Sequence, residues 1–560
     1  MANLWSQDTP YDGTQHSIIR SSKAYVPAYK ALASAIIDSY SESNQNVDNV
    51  VHGGTGPVPA WGQSFTGNGL DLSACRFYLK KLGSPTGNAV AKLYAHSGTY
   101  GTSSIPTGSA LATSNNFDVS VLSTSFQLIT LFFDTPYTLA NGTKYVVTFE
   151  YSGGNSSNCC KIGYDNSSPS HGGNACYYTT SWTAYAAGDT CFYCHTYLGG
   201  LYVYDLDDGS ELNHFVPNTY ILTAPIVDSG YAYVYDKENC VVRRIGESDG
   251  VVTHTLYGLS SIDFESMGWD TANSRIILPI STGLKAYNMA DLSLQWTYTH
   301  TFTTLVNAAS PLVVGDYVYF KSNSAGTLYK LNKSDGTYVS SATSLGYSNL
   351  TYASPAYDPD HEYIYVTGAS AQVHCIRCSD MAVLWSKTLG SGMTTPFIQN
   401  TISYHDGKVF VPVRDNSSNY KAKIYALDYS DGDDILWTNT EPWDDGQSVT
   451  TILHTDDYVI IGGLNYSDLS QGYLYTIKKS DGTLQSKEWL AYGVTCGGIA
   501  AASDGKIIVN EFNGIVECFQ LGTGSNSDSE HYMKNLYHNG YSGDRLVYGA
   551  GEASFVAWIN

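Results

Sequence analysis

The sequence predicts an all-β protein: an N-terminal arm with one helix, a β-sandwich of jelly-roll form, then an eight-bladed β-propeller, with seven blades as the alternative. Three observations carry this expectation. Charged residues make up only 14% of the 560, and the deficit is filled by 47 Tyr and 53 Gly, a composition suited to pleated surface joined by tight turns. Short β-forming runs separated by Gly- and Pro-containing turns fill residues 61–199. From residue 200 a strand–Asp-Gly–strand unit recurs every forty-odd residues.

Residues 1–60 read as an assembly arm that joins the protein to other chains. Within it, Tyr29–Tyr40 places Leu32, Ala35, Ile36 and Tyr40 at helical spacing. His52-Gly-Gly-Thr-Gly-Pro-Val-Pro59 reads as a linker. In 61–199 the strand runs are Cys75–Lys80, Ala89–Tyr94, Phe126–Phe133 and Tyr145–Glu150, divided by turn segments at Gly83–Gly87, Pro106–Gly108 and Ala140–Thr143. Strands this short and this regularly spaced point to an antiparallel sandwich. The order Gln63-Ser-Phe65, Gly83–Gly87, Pro106–Leu111 and Leu139–Tyr145 resembles carbohydrate-binding-like jelly-roll modules, which recur in cell-surface, virus and phage proteins. That resemblance implies a spacer or glycan-binding role for residues 61–199.

The repeat marks its turns with Asp208, Asp249, Asp291, Asp335, Asp380, Asp431 and Asp481, and an eighth turn is expected near Gly522. Successive intervals of 41 to 51 residues match one four-stranded blade each. Asp-Gly is expected in a two-residue hairpin turn, which needs positive φ. Several copies continue to a tryptophan in the outer strand: Trp296, Trp385 and Trp437. The propeller is therefore assigned to residues 200–560, and its ring is expected to close by pairing 200–215 with 545–560. The repeat resembles the quinoprotein-dehydrogenase-like (PQQ-like repeat) propellers, which implies the propeller fold. Dehydrogenases of that family hold pyrroloquinoline quinone with calcium and often a vicinal disulfide. Here the vicinal pair Cys159-Cys160 falls in the sandwich, and Trp is missing after the turns at Asp249, Asp335 and Asp481.

Net charge is −22, and so acidic a surface repels phosphate backbones, which argues against nucleic-acid binding. No apolar run reaches transmembrane length. The opening Met1–Asp8 lacks the basic and apolar regions of a signal peptide, so either a signal was trimmed or the protein leaves its cell by another route, such as lysis. Of eleven cysteines, Cys159, Cys160, Cys176, Cys191 and Cys194 crowd a Gly/Asn/Ser-rich stretch and are expected to form local disulfides in an oxidising compartment, with buried free thiols as the alternative. Cys191-Phe-Tyr-Cys194-His195 has c-type haem-attachment spacing, against the alternative of a sandwich strand with a surface His. Cys375-Ile-Arg-Cys378 has dithiol spacing without a second pair to complete a zinc site. Asp205/Asp207/Asp208 and Asp358/Asp360/Glu362 are acidic enough for calcium but do not match an EF-hand loop. Glycosylation sequons begin at Asn141, Asn155, Asn166, Asn332, Asn349, Asn416 and Asn465.

No nucleophile–base set or phosphate loop stands out in the sequence. The expectation is a non-enzymatic structural or adhesion protein, extracellular or on a virion surface, that recognises glycans or a partner protein through propeller loops. The alternatives are a redox protein bearing quinone or haem and a polysaccharide-cleaving propeller.

Overall fold

The computed structural model describes residues 2 to 520 except for short intervals, the longest being 216–222, 260–266, 301–308 and 347–352. Eight antiparallel sheets form the blades of a β-propeller. Blades 2 to 7 follow one another in the chain, from Ile226–Asp228 to Leu484–Leu490. Blades 1 and 8 are composite. Blade 1 takes its inner strands from Gly13–Thr14, Ile18–Arg20 and Lys23–Tyr29, and its outer strands from Gly199–Asp205 and Glu211–Phe215. Blade 8 has Val494–Ala501, Lys506–Glu511 and Ile515–Gln520, completed on its outside by Ala2–Asp8.

This corrects the expected arm and ring closure. The inner strands assigned to residues 545–560 come instead from residues 13–29, and the outer strand of blade 8 comes from the first residues of the chain. Residues 545–560 and the turn near Gly522 lie outside the described residues. The expected helix is also corrected. Lys23–Tyr29 and Ile36–Tyr40 are strands, and Ile36–Tyr40 pairs with Phe192–His195. A short apolar run satisfies helical and extended patterns alike, and here the open edge of Phe192–His195 gives its backbone hydrogen-bond partners.

Between Tyr29 and Gly199 the chain leaves the propeller and builds a β-sandwich, so the sandwich is the connection between the second and third strands of blade 1. Its inner sheet contains Asp71–Leu82, Gln127–Thr138, Cys159–Asp165 and Phe192–His195, and also Ile36–Tyr40 and Val47–Val51 from the expected arm. Its outer sheet runs Ile105–Thr113, Asn88–Ser97, Lys144–Glu150, Ala60–Thr66, Ala175–Tyr178, Trp182–Tyr185. One core joins them: Phe65 meets Phe192 and Phe77 meets Phe149 across the gap, with ring centroids 6.4 and 6.1 Å apart. The segment 52–59 is no free linker, because His52 bridges Val58 and Gly53 N–H donates to the Gly153 carbonyl.

The blade turns carry four residues rather than two. Gly246 N–H donates to Val251 O and Gly250 N–H to Gly246 O, and Asn332, Thr337 and Gly336 repeat the arrangement. The aspartate caps the loop: Asp249 Oδ1 accepts from Val251 N–H at 3.0 Å, Asp335 from Thr337 at 2.9 Å and Asp481 from Thr483 at 2.9 Å. Only the glycine needs positive φ, +73° at Gly336 and +74° at Gly482. A second constraint acts at the same glycines. Trp296, Trp385 and Trp437 each donate Nε1–H to a turn carbonyl of the next blade, Lys333 O, Tyr429 O and Lys479 O, all at 2.9 Å. A Cβ at Gly336, Gly432 or Gly482 would lie 2.5, 2.2 or 2.7 Å from those rings. The Asp-Gly–Trp pattern is therefore a fastener between consecutive blades.

Candidate functional site

Antiparallel strands put the turns between strands 1–2 and 3–4 of each blade on one face of the ring, and the remaining connections on the other. The sandwich, as a 2–3 connection, rises from that second face. It is clamped to blade 2 there. The guanidinium of buried Arg243 sits 3.7 Å from the centre of the Phe132 ring of the inner sheet, and Phe117 meets Tyr257 edge-on at 5.3 Å. Buried charge collects at the same end of blades 4 and 6. Asp415 accepts the Thr394 and Thr395 N–H groups at 2.9 and 3.1 Å, Arg414 lies over Phe397, and burial brings Lys321 down to about 8. Asp415 thereby ties the segment at Thr394 and Thr395 to the end of its own strand.

The outer sheet presents a second feature on the side turned away from the core. Tyr94 and Trp182 stand on strands with three others between them, which in a flat sheet would separate them by about 19 Å, yet their rings meet edge-on at 6.1 Å. The sheet therefore curls into a trough. Gly62, Ser64 and Cys176, on the same face of the intervening strands, are buried. Trp182 also meets Tyr178 at 5.4 Å. Beside the rings, Glu150 accepts from the Tyr94 hydroxyl at 2.8 Å and the Thr148 hydroxyl at 3.0 Å, and pairs with Lys92 at 2.6 Å. Burial, then the Glu150 charge, pushes the Tyr94 hydroxyl well above its usual range, so it remains a donor. Aromatic faces beside a fixed carboxylate and ammonium suit a ligand with apolar faces and many hydroxyls. Sequence reading missed this set because only the curl of the sheet brings the residues together.

The residues singled out in the sequence do not converge. Cys194 lies in the sandwich core, facing Cys75 across the ladder, whereas Cys191 lies outside that core and His195 points to the opposite side of the strand from Cys194. Alternation along a strand thus divides the haem-like motif between two faces of a sheet. The expected local disulfides are likewise corrected: Cys159, Cys160, Cys176, Cys191 and Cys194 are not joined by disulfides. Cys159 and Cys160 alternate across the inner sheet, and Cys176 lies on the far side of the outer one. Burial pushes Cys191 up to about 12, so it stays protonated and unreactive. Cys375 and Cys378 belong to different interblade cores.

Among the described residues no group of three or more His, Cys, Asp or Glu is placed to hold a metal ion. Asp205 and Asp208 cap their own turn, and Asp358 accepts from Asp360 N–H, His361 and Tyr365. Of the sequons, Asn141, Asn155, Asn166 and Asn416 are exposed and Asn332 and Asn465 half-buried, while Asn349 lies outside the described residues.

The PQQ-like repeat family described as "Outer membrane protein assembly factor BamB" matches residues 170–349 and 324–491, together more than half of the chain. The chain belongs to this family. No curated protein matches it. Among solved structures, the computationally designed Ika8 protein is similar at 12% identity, over 57% of this chain and 90% of that one, with a TM-score of 0.45. BamB from Moraxella catarrhalis is similar at 15% identity, over 53% and 96%, with a TM-score of 0.36. As expected of a PQQ-like repeat chain, each described turn aspartate from Asp208 to Asp481 falls in its own blade. No helix among the described residues is long and apolar enough to cross a membrane.

Proposed function

We propose that this BamB-family chain is a non-enzymatic structural and adhesion protein, extracellular or on a virion surface, which engages a partner protein through the propeller face that carries the sandwich. The supporting observation is the clamp: the sandwich is both inserted into blade 1 and packed on blade 2 through Arg243–Phe132 and Tyr257–Phe117, so two recognition modules share one oriented surface. The family description, which names an assembly factor, favours a protein partner. Cross-linking of native material through lysines, followed by peptide mapping, tests this. Links to a second protein should gather on sandwich lysines such as Lys81 and Lys144. Links confined to the turn face, at Lys408 and Lys478, would refute it, and electron microscopy showing the protein unattached to any particle or cell would remove the surface setting.

A second reading, glycan binding, is favoured by the aromatic trough of Tyr94, Tyr178 and Trp182 with Glu150 and Lys92. Its test is a glycan array probed with the intact chain and with Trp182→Ala. Binding that the substitution abolishes supports the reading; no binding by the intact chain, or equal binding by both, ends it.

A further inference from the structure

At the seam between blades 4 and 5 a hydroxyl stands beside an oriented base. His374, on the third strand of blade 5, lies directly opposite Ser386 on the fourth. His374 Nε2 is 2.8 Å from the Leu345 carbonyl oxygen, just beyond the outer strand of blade 4, and Nδ1 is 2.7 Å from Ser386 Oγ. A carbonyl can only accept, so in the neutral ring Nε2 carries the proton and Nδ1 presents a lone pair. The Ser386 hydroxyl donates into that lone pair. His374 is buried and Ser386 exposed. Space for the pair depends on glycine: a Cβ at Gly368 would lie 2.4 Å from both His374 Nε2 and Leu345 O. The repeat supplies a comparison. On the same rung, blades 2, 3, 4 and 6 carry Thr255, Thr297, Ser341 and Thr438, each opposite an arginine, a lysine or a tyrosine. A hydroxyl is therefore ordinary at this position, whereas among these blades only blade 5 sets a histidine against it.

We propose that Ser386 is a covalent acylation site, with His374 as the base that takes its proton. Ser386 Oγ attacks the carbonyl carbon of an acyl donor, and its proton passes to His374 Nδ1. The bond from Oγ to the acyl carbon forms, the bond to the leaving group breaks, and the proton departs with that group. The base sets the class of donor. Burial holds His374 below its ordinary value, with the Leu345 bond opposing burial and the Lys321 ammonium adding to it. Leu345 offers a neutral carbonyl where a carboxylate would steady the imidazolium. A base this weak serves acyl groups that are already activated, thioesters or aryl esters, and not amides. One acylated serine is a modification of the chain, so it adds to the adhesion role proposed above and does not rest on it.

Incubation of the intact chain with p-nitrophenyl acetate, followed by mass-spectrometric mapping of acetylated peptides, tests the site. Ser386 should carry the acetyl group. Ser293, an exposed serine of blade 3 whose Oγ accepts from Gln295, should stay unmodified. Equal labelling of the two, or none at Ser386, overturns the proposal. His374→Gln removes the base and should slow acetylation of Ser386 by about a hundredfold or more, with the thermal melt showing whether the variant is folded. Undiminished labelling in the folded variant also overturns the proposal. Should the variant not fold, Ser386 against Ser293 in the wild type decides alone.

Discussion

In the sandwich one cluster of buried side chains runs from Tyr40 to Cys194 through both sheets. The propeller instead divides its apolar interior among clusters that each join two or three neighbouring blades. The sandwich core is built by residues distant in the chain, and each member is used once. The propeller repeats one local fastener, tryptophan on glycine, and distributes its stability around the ring. The same loss of a tryptophan should therefore be global in one region and local in the other.

Substitutions can break or sharpen that contrast. The largest effect is expected from Trp61→Ala. Trp61 stacks on Tyr177 at 5.5 Å, touches Tyr164 and Tyr185, and donates to Thr190 Oγ1 at 2.9 Å. Its loss should cost about 4–5 kcal/mol and unfold the sandwich as a unit, seen in denaturant melts as the early loss of one transition with the propeller's unchanged. Trp437→Ala removes the fastener between blades 6 and 7 and should cost about 3 kcal/mol. Hydrogen exchange should rise only in those two blades, and a rise spread evenly around the ring would defeat the idea of local fasteners. Gly482→Ala meets both the positive φ and the Trp437 ring, for about 2 kcal/mol, with calorimetry as the measure. If Gly482→Ala proved neutral, the close approach of ring and turn would not be what requires glycine there.

The smallest change concerns acid. Asp165 accepts from the Tyr40 hydroxyl, Asn46 and the Ser167 and Ser168 N–H groups. Burial raises its pKa, but the donors outweigh burial and hold it at about 2, below the ordinary 3.8. A carboxylate so depressed contributes stability present above pH 3.8 and lost as pH falls towards 2. Asp165→Asn should cost about 1–2 kcal/mol at neutral pH and flatten the sandwich's acid melt in that window, while leaving the propeller transition in place. An acid melt unchanged by Asp165→Asn would show that the charge contributes nothing there.

How much was legible in the sequence depends on how local the signal was. Asp249, Asp335 and Asp481 announce their turns because the aspartate caps a loop two residues away and the glycine sits in a backbone region that few residues adopt. Trp296, Trp385 and Trp437 were visible as a recurring position, although their docking on the next blade was not. The strand at Ile36–Tyr40 was misread as the end of a helix because nothing local separates a few spaced apolar residues in a strand from the same residues in a helix. The Cys191–His195 spacing suggested convergence, yet spacing in a strand alternates faces, and whether the segment was a strand at all depended on its partners Asp71–Leu82 and Ile36–Tyr40. The trough was illegible because Tyr94 and Trp182 are 88 positions apart in the chain and are joined only by curvature.

The sequence alone determined that this is a repeating all-β chain with a separate sandwich, since turn chemistry and strand periodicity act within a few residues of themselves. Only the tertiary structure decided that the first strand completes blade 8, that residues 13–29 and 199–215 share blade 1, and that the sandwich is an insertion seated on blade 2. Ring closure and insertion are contacts between segments hundreds of residues apart. Their free energy comes from open sheet edges and apolar faces that exist only once the other blades have formed.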